Sequence, residues 1–187
     1  GDNMRITYIR HAKRKFVVLS LLILIVVIMG MLHISDSVAQ NVLNLSSAKL
    51  PIYCTDNENR EIALTINCAW GADDIEEILD TLDYYKIKAS FFVLGTWAEK
   101  NPKELKMIYD AGHEIGNHTY SHQKGWGMPL EKYIEDVDFA DDILHSNLFR
   151  PPYAQTTPSQ IRAVAKRYKV VMWNILSRDY ARTVTPE

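Results

Sequence analysis

The stretch EIALTINCAWGADDIEEILDTLDYYKIKASFFVLGTW, residues 61–97, decides the fold. Residues 61–70 are rich in types that are usually buried, which predicts a strand, and residues 88–97 predict a second one. Between them, residues 73–86 carry apolar side chains at helical spacing. These are Ile75, Ile78, Leu79 and Leu82. A strand, a helix and a strand in this order predict a parallel pairing of the two strands.

The same alternation continues to the end of the chain. Further strands are predicted at 113–118, 148–150 and 170–176, and further helices at 101–112, 130–145 and 157–169. Asn101 and Thr157 are the predicted N-caps of two of these helices, and each is followed by a proline that suits a first helical turn. The predicted fold class is therefore α/β with a parallel sheet, either open or closed into a barrel.

Four polar clusters fall where predicted strands end. They lie at residues 67–71, 118–122, 150–153 and 174–179. In parallel α/β folds the carboxyl ends of the strands share one edge, and the loops that follow them carry the chemistry. We therefore expect these four clusters to converge on one site.

The segment HTYSH places His118 and His122 four residues apart. On a helical turn, side chains at this spacing share a face, and two neutral imidazoles there can bind one divalent ion, with zinc preferred. The alternative is a pair of histidines without a ligand, because short motifs of this kind also arise by chance.

The N-terminal region differs in composition from the rest. Residues 1–15 carry five cationic side chains, and residues 16–32 contain no charge. Seventeen apolar residues can just cross a bilayer, so we expect a cytoplasmic basic segment, a transmembrane signal-anchor at 16–32 and a linker at 33–50. The remainder should lie outside the cell, in a single-pass membrane protein. A secreted product after cleavage near Ala39 is the alternative.

The composition narrows the choice of partners and cross-links. The 187 residues carry a net charge of −2, with no basic stripe after residue 15, which argues against nucleic acid as a partner. Cys54 and Cys68 are the two cysteines, and the predicted strand register keeps them too far apart for a disulfide. The sequence does not indicate an oligomeric state.

Four segments in order, TINCAWG, HTYSH, RPPY and WNILSRDY, resemble the motifs of the polysaccharide deacetylases with a NodB-like domain, in a subgroup related to spore and cell-wall enzymes. The resemblance covers residues 60–181. It implies an incomplete (β/α) barrel at 51–187 and hydrolysis of N-acetyl groups, a non-peptide C–N bond, on a cell-wall glycan such as peptidoglycan. It also implies a divalent metal, which would polarise the acetyl carbonyl.

The resemblance assigns roles to individual residues. Arg150 would orient the catalytic base, Tyr153 would direct a backbone N–H toward the oxyanion, and Asp179 would tune an acid histidine. The base position itself is Asn67, and an amide cannot take a proton from water at neutral pH. The chain ends at Glu187, before the acid histidine of the family, so the resemblance implies a C-terminally truncated domain.

The sequence offers two candidates for a third metal ligand. Cys68 stands where the family has an aspartate ligand, and it is either a soft thiolate ligand or a core residue. Asp73 is another source of carboxylate, although an acid at a helix N-terminus needs no catalytic explanation. Trp70, Tyr120 and Tyr153 are candidates to stack on sugar rings.

Two functions therefore remain open at the level of the sequence. The first is a membrane-anchored, metal-dependent deacetylase, and the second is a degenerate domain that binds glycan or metal without turnover. Asn67 is the residue that discriminates between them. An unrelated zinc peptidase is disfavoured because the chain has no H-E-x-x-H motif.

Overall fold

The computed structural model describes residues 22–31, 50–56, 58 and 61–178. The chain divides into two units, Gly1–Ala48 and Lys49–Glu187. In the first unit, the described residues 22–31 form one helix, α1. None of the helices in the described ranges has the length and apolar character needed to cross a membrane. The rest of the predicted 16–32 span lies outside those ranges.

The second unit contains the predicted alternation of strands and helices. The strands are β1 (Thr65–Cys68), β2 (Ser90–Val93), β3 (Glu114–Asn117), β4 (Leu148–Phe149) and β5 (Lys169–Val170). The helices are α2 (Ile75–Tyr84), α3 (Gly95–Lys100), α4 (Pro102–Asp110), α5 (Leu130–Leu144) and α6 (Pro158–Val164), with a 3₁₀ turn at Pro152–Ala154. The α/β class predicted from the sequence is confirmed.

The five strands form one sheet in the order β1-β2-β3-β4-β5, and every neighbouring pair is parallel. The register aligns Cys68 with Val93, and Val93 in turn with Asn117. Asn117 pairs with Phe149. Because the strand ends are level across this register, the loops that follow β1, β3 and β4 begin at the same edge of the sheet.

Two apolar clusters hold the helices against the sheet. One joins β1, β2 and β3 to α2, α3 and α4, with Phe91, Val93 and Ile108 fully buried. The other joins β4 and β5 to α5 and α6 around Phe149 and Val137. Complete burial of one such side chain contributes about 1.5–3 kcal/mol. The packed sheet therefore provides a fixed base for the loops at its carboxyl edge.

Three local details differ from the sequence prediction. The strand predicted at 88–97 ends at Val93, and Gly95 begins α3, where a Cβ would lie 2.4 Å from the Tyr120 ring. Only glycine fits at that contact. Asn101 does not cap α4 with its side chain, because its Nδ2 donates to the Trp97 carbonyl instead.

The last predicted strand is shorter than expected and has an unexpected neighbour. It was predicted at 170–176, whereas β5 ends at Val170 and an isolated bridge follows at Val171. That bridge pairs in parallel with Ile52. The predicted N-cap Thr157 is confirmed at the start of α6, where it forms a capping box with Gln160 through reciprocal hydrogen bonds.

Candidate functional site

His118 and His122 lie in the loop that follows β3, with ring centroids 5.1 Å apart. The prediction of a helical turn is wrong, because Thr119 and His122 have positive φ values of 69° and 59°. The Asn117 side chain holds this loop by accepting from the Thr119 backbone N–H at 2.8 Å. A left-handed loop therefore brings the two rings together.

His118 is almost completely buried and has a fixed orientation. Its Nδ1 lies 2.7 Å from the backbone oxygen of Arg150, which can only accept, so Nδ1 carries the proton and Nε2 keeps its lone pair. Burial lowers the pKa of His118 to about 3 and also lowers the pKa of His122. Both rings are therefore neutral at neutral pH, which is the form that binds metal ions.

Arg150 follows β4 and is only 2% exposed. Its guanidinium donates to Asn67 Oδ1 and Thr65 Oγ1 at 2.9 Å each, and to the Val171 and Met172 carbonyls at 3.2 and 3.0 Å. It also lies 3.9 Å from the centroid of the Phe92 ring. These acceptors are all neutral, and burial lowers the pKa of Arg150 to about 10.

Asn67 is exposed on β1, and its side-chain oxygen Oδ1 accepts a hydrogen bond from the Arg150 guanidinium. An aspartate at this position would place a basic carboxylate oxygen beside the Arg150 guanidinium. The amide oxygen accepts the same hydrogen bond but has no useful basicity toward water. Arg150 therefore has an oxygen acceptor at position 67, but that acceptor is not a basic group.

Neither proposed third ligand joins the two histidines. Cys68 is 4% exposed within the apolar cluster of β1 and α2, and burial raises its pKa to about 12, so it remains a thiol. Asp73 is exposed in the turn before α2. Among the described residues, no group of three or more His, Cys, Asp or Glu side chains could hold a metal ion.

The donor set gives only a partial fit to the metal that the sequence predicts. Two neutral imidazoles, one oriented by a backbone carbonyl, suit a divalent ion. A catalytic zinc ion usually has three protein ligands, and the described residues supply two. The site thus fits an ion completed by water and does not fit the usual three-ligand centre.

The aromatic candidates separate into two groups. Trp70, 76% exposed, meets the His122 ring edge-on at 5.7 Å, and Tyr153, 51% exposed, lies 4.7 Å from the same ring. Tyr120 instead packs on Gly95 and donates to Glu99 at 2.9 Å, in a separate cleft between α3 and α5. Tyr120 therefore lies apart from the histidine pair, and its role in sugar stacking stays a prediction.

Sequence reasoning missed two polar residues that shape the site. Asn117 is fully buried and bonds both to the His118 loop and to the Val137 carbonyl of α5. Asp136 accepts from the Ser121 hydroxyl at 2.7 Å, which ties the same loop to α5. Asn117 stands at the polar end of an apolar strand, which was a usable signal. The predicted Asp179 lies outside the described residues.

The fold and the site define an α/β protein with a histidine pair and a buried arginine at the carboxyl edge of a parallel sheet. The family model described as polysaccharide deacetylase matches residues 55–173, more than half of the chain. The chain therefore belongs to the polysaccharide deacetylase family. The family comprises carbohydrate deacetylases, which are hydrolases and generally depend on a metal ion.

Individual relatives cover the same region. A peptidoglycan-N-acetylglucosamine deacetylase of Bacillus cereus is 33% identical over 127 residues, which are 64% of this chain and 46% of that protein. The peptidoglycan-N-acetylmuramic acid deacetylase PdaC of Bacillus subtilis is 29% identical over 131 residues, 67% of this chain and 28% of that protein. The chain thus spans less than half the length of these relatives.

The solved structures include a relative without activity. BA3943 of Bacillus anthracis, a pseudoenzyme of the CE4 family, superposes with a TM-score of 0.67 at 27% identity, over 70% of this chain and 49% of that one. A mutant of BA3943 has restored enzymatic activity. The family therefore contains both glycan deacetylases and a pseudoenzyme.

Proposed function

We propose that this chain is a polysaccharide deacetylase-like protein that binds the N-acetylated glycan of peptidoglycan and hydrolyses its N-acetyl groups very slowly. The observation that carries the proposal is the bond from Arg150 Nη1 to Asn67 Oδ1. It holds an amide, rather than a carboxylate, where a water molecule would have to lose its proton. A catalytically degenerate member that retains glycan binding fits this arrangement best.

The remaining groups of the site suit glycan binding. Trp70 and Tyr153 are exposed next to His122 and present ring surfaces of the kind on which sugars stack. His118 and His122 would hold the metal ion, with zinc as the ion we favour for two imidazole ligands. When bound, that ion would supply polarisation of the acetyl carbonyl. Tyr153, with a φ of 55°, would turn its backbone N–H toward the same oxygen.

This chain lacks a base at position 67 for the proton-transfer step. A positioned base contributes about 10²- to 10⁴-fold to such reactions, and Asn67 cannot supply that factor. Asp179, predicted to tune an acid histidine, lies outside the described residues and remains a prediction. Arg150 would orient and stabilise a carboxylate at position 67 through the hydrogen bond that it already makes.

The test combines binding and turnover on one substrate. Chitotetraose, the tetramer of N-acetylglucosamine, is titrated calorimetrically, and acetate release is followed for wild type and Asn67→Asp. We expect comparable binding by both proteins, acetate release near background for wild type, and an increase of at least about tenfold in Asn67→Asp. Asn147→Asp is the matched control, because Asn147 is exposed before β4 and away from the site.

Two results would contradict the proposal. Wild-type hydrolysis as fast as that of Asn67→Asp would show that another group acts as the base. Loss of glycan binding in wild type, with folding intact, would remove the proposed function itself.

We also propose that the glycan-binding domain is displayed outside the cell on an N-terminal anchor. The support is the uncharged run at 16–32 after five cationic residues, together with a substrate that lies outside the membrane. Protease added to intact cells should digest the domain while a cytoplasmic marker survives. Equal protection of both would place the domain inside.

A further inference from the structure

An exposed tryptophan that the site has not used, Trp126, is held in a fixed orientation. Its side chain is 65% exposed, yet its indole Nε1–H donates to the Thr156 carbonyl at 3.1 Å. The bond fixes the ring at its edge and leaves most of its surface open to water. Such a ring loses little further conformational freedom when a ligand packs on it, which favours binding. Tryptophan in this setting, with an apolar ring and a bonded N–H, is typical of a binding surface.

The loop that carries Trp126 runs beside the segment that carries Tyr153. Two residues before Trp126, the Lys124 Nζ lies 5.7 Å from the centroid of the Tyr153 ring. Trp126 itself is bonded to Thr156, three residues beyond Tyr153 in the chain. The Tyr153 ring in turn lies 4.7 Å from the His122 ring. The contacts therefore lead from His122 over Tyr153 to Trp126.

Hydrogen bonds on both sides of Trp126 fix the loop in place. Gln160, only 1% exposed, donates from Nε2 to the Gly125 carbonyl at 2.9 Å and to the Met128 carbonyl at 3.2 Å. The Gly125 N–H donates to the Gln155 carbonyl at 3.2 Å, and a Cβ at Gly125 would lie 2.4 Å from that oxygen, so this approach requires glycine. Gln160 is itself held by the capping box of α6. Trp126 therefore has a rigid support.

The charges bound to this loop, residues 118–128, have both signs. Lys124 contributes an ammonium group, and the Asp136 carboxylate accepts from the Ser121 hydroxyl at 2.7 Å. Neither a cationic nor an anionic ligand is therefore favoured by charge. A neutral sugar that packs its apolar face on an aromatic ring is the better match. A glycan chain presents several such faces in a row, so successive sugars can contact rings that lie apart.

We propose that Trp126 forms a second sugar-stacking position, separate from the histidine pair, for another sugar of the same neutral glycan chain. In the described part of the chain, the ring contacts of His122 and Tyr153 do not include Trp126, so a further sugar is needed to cover it. The site therefore prefers long glycans over short ones. This inference rests on the proposed glycan-binding function, and it adds a dependence on chain length.

Oligomers of N-acetylglucosamine that differ only in length separate the two positions. Calorimetry gives the affinities of chitobiose, the dimer, and chitohexaose, the hexamer, for wild type, Trp126→Ala, Trp126→Phe and Trp70→Ala. Trp126→Phe keeps an aromatic ring and removes the bond to Thr156. The matched control is Tyr84→Ala, whose ring is 78% exposed on α2. Circular dichroism shows whether each variant is folded.

We expect Trp126→Ala to weaken chitohexaose binding by about threefold to tenfold, the range of one aromatic contact, and to leave chitobiose binding unchanged. Trp126→Phe should lose less, Trp70→Ala should weaken both oligomers, and Tyr84→Ala should weaken neither. High salt should leave the loss in Trp126→Ala unchanged, because the ligand is neutral.

Two results would overturn the inference and leave the proposed function intact. They are an unchanged affinity of folded Trp126→Ala for chitohexaose, and an equal loss for chitobiose and chitohexaose. Failure of wild type to bind either oligomer would instead overturn the proposed function, and the second stacking position with it.

Discussion

The two ends of the site differ in how firmly they are built. At the end of β3 and β4, His118 and Arg150 are buried, and their side-chain hydrogen bonds join separate segments of the chain. At the end of β1, Asn67 and Trp70 are exposed, and position 67 carries a neutral amide. The half of the site around His118 and Arg150 is therefore buried and cross-linked, whereas the half around Asn67 is exposed. Substitutions should therefore be costly for stability at the first end and nearly neutral at the second.

The largest effect is expected for Arg150→Met. This change leaves the Val171 and Met172 carbonyls without their guanidinium donors in a buried position, so stability should fall by about 3 kcal/mol. Urea unfolding followed by circular dichroism measures the loss. Arg167→Met is the matched control, because its pair with Asp138 is half exposed and should contribute at most about 1 kcal/mol. Equal losses in the two variants would show that burial of Arg150 does not matter.

The next effect is a pH dependence that originates in His118. Its folded-state pKa of about 3 lies below the ordinary value of 6.5. Between these two pH values, His118 is protonated in the unfolded chain and neutral in the folded chain. The contribution of neutral His118 to the free energy of unfolding is fully present above pH 6.5 and is lost as the pH falls toward 3. The free energy of unfolding then falls by up to about 1.4 kcal/mol per pH unit.

His118→Asn removes the titration and keeps an N–H donor near Nδ1. In chelator-treated protein, wild type should lose about 2 kcal/mol more than this variant between pH 7 and pH 5 in urea unfolding. Other histidines with lowered pKa values, such as His113, contribute equally to both proteins and cancel. Parallel pH profiles would mean that His118 is not held neutral by burial.

A smaller effect of the opposite sign is expected at the β1 end. Asn67→Asp places a carboxylate against the Arg150 guanidinium, and at this exposed position the gain should be about 1 kcal/mol at pH 7. Since the guanidinium lowers the pKa of that carboxyl group, the gain is present above pH 4 and is lost as the pH falls further. Urea unfolding at pH 7 and pH 3 tests this, and Asn147→Asp should show no gain at either pH.

The smallest effect on stability is expected for Trp70→Ala. Its side chain is 76% exposed, so the free energy of unfolding should change by less than about 0.5 kcal/mol. Chitotetraose affinity should nevertheless fall, because the ring beside His122 is lost. Tyr84→Ala, with a ring 78% exposed on α2, should leave both quantities unchanged. If Trp70→Ala destabilised the protein as much as Arg150→Met, the two ends of the site would not differ in their contribution to stability.

Most of the fold could be predicted because hydrophobic periodicity reports directly on which faces are buried. The five strands and most helices follow from it, whereas α3 does not, since its six residues continue an apolar run. The bridge between Ile52 and Val171 could not be predicted either, because pairing between distant segments leaves no local sequence pattern.

The sequence predicted which residues belong to the site better than it predicted how they are arranged. The sequence indicated that His118, Arg150 and Asn67 belong together, and the structure places them in contact through Arg150. It could not show that Cys68 turns into the apolar cluster, since alternation along four residues of β1 allows either face. The left-handed turn at Thr119 was equally invisible, because the residue itself disfavours it.

The hydrogen bonds of Arg150 connect distant parts of the chain, which has a consequence for the order of folding. Thr65 and Asn67 lie 85 and 83 residues before Arg150 in the sequence, and the carbonyls of Val171 and Met172 lie 21 and 22 residues after it. The guanidinium is satisfied only after both segments have docked, and closing such long loops is slow. We therefore expect these bonds to form after the rate-limiting step, so that their removal accelerates unfolding and leaves the refolding rate nearly unchanged.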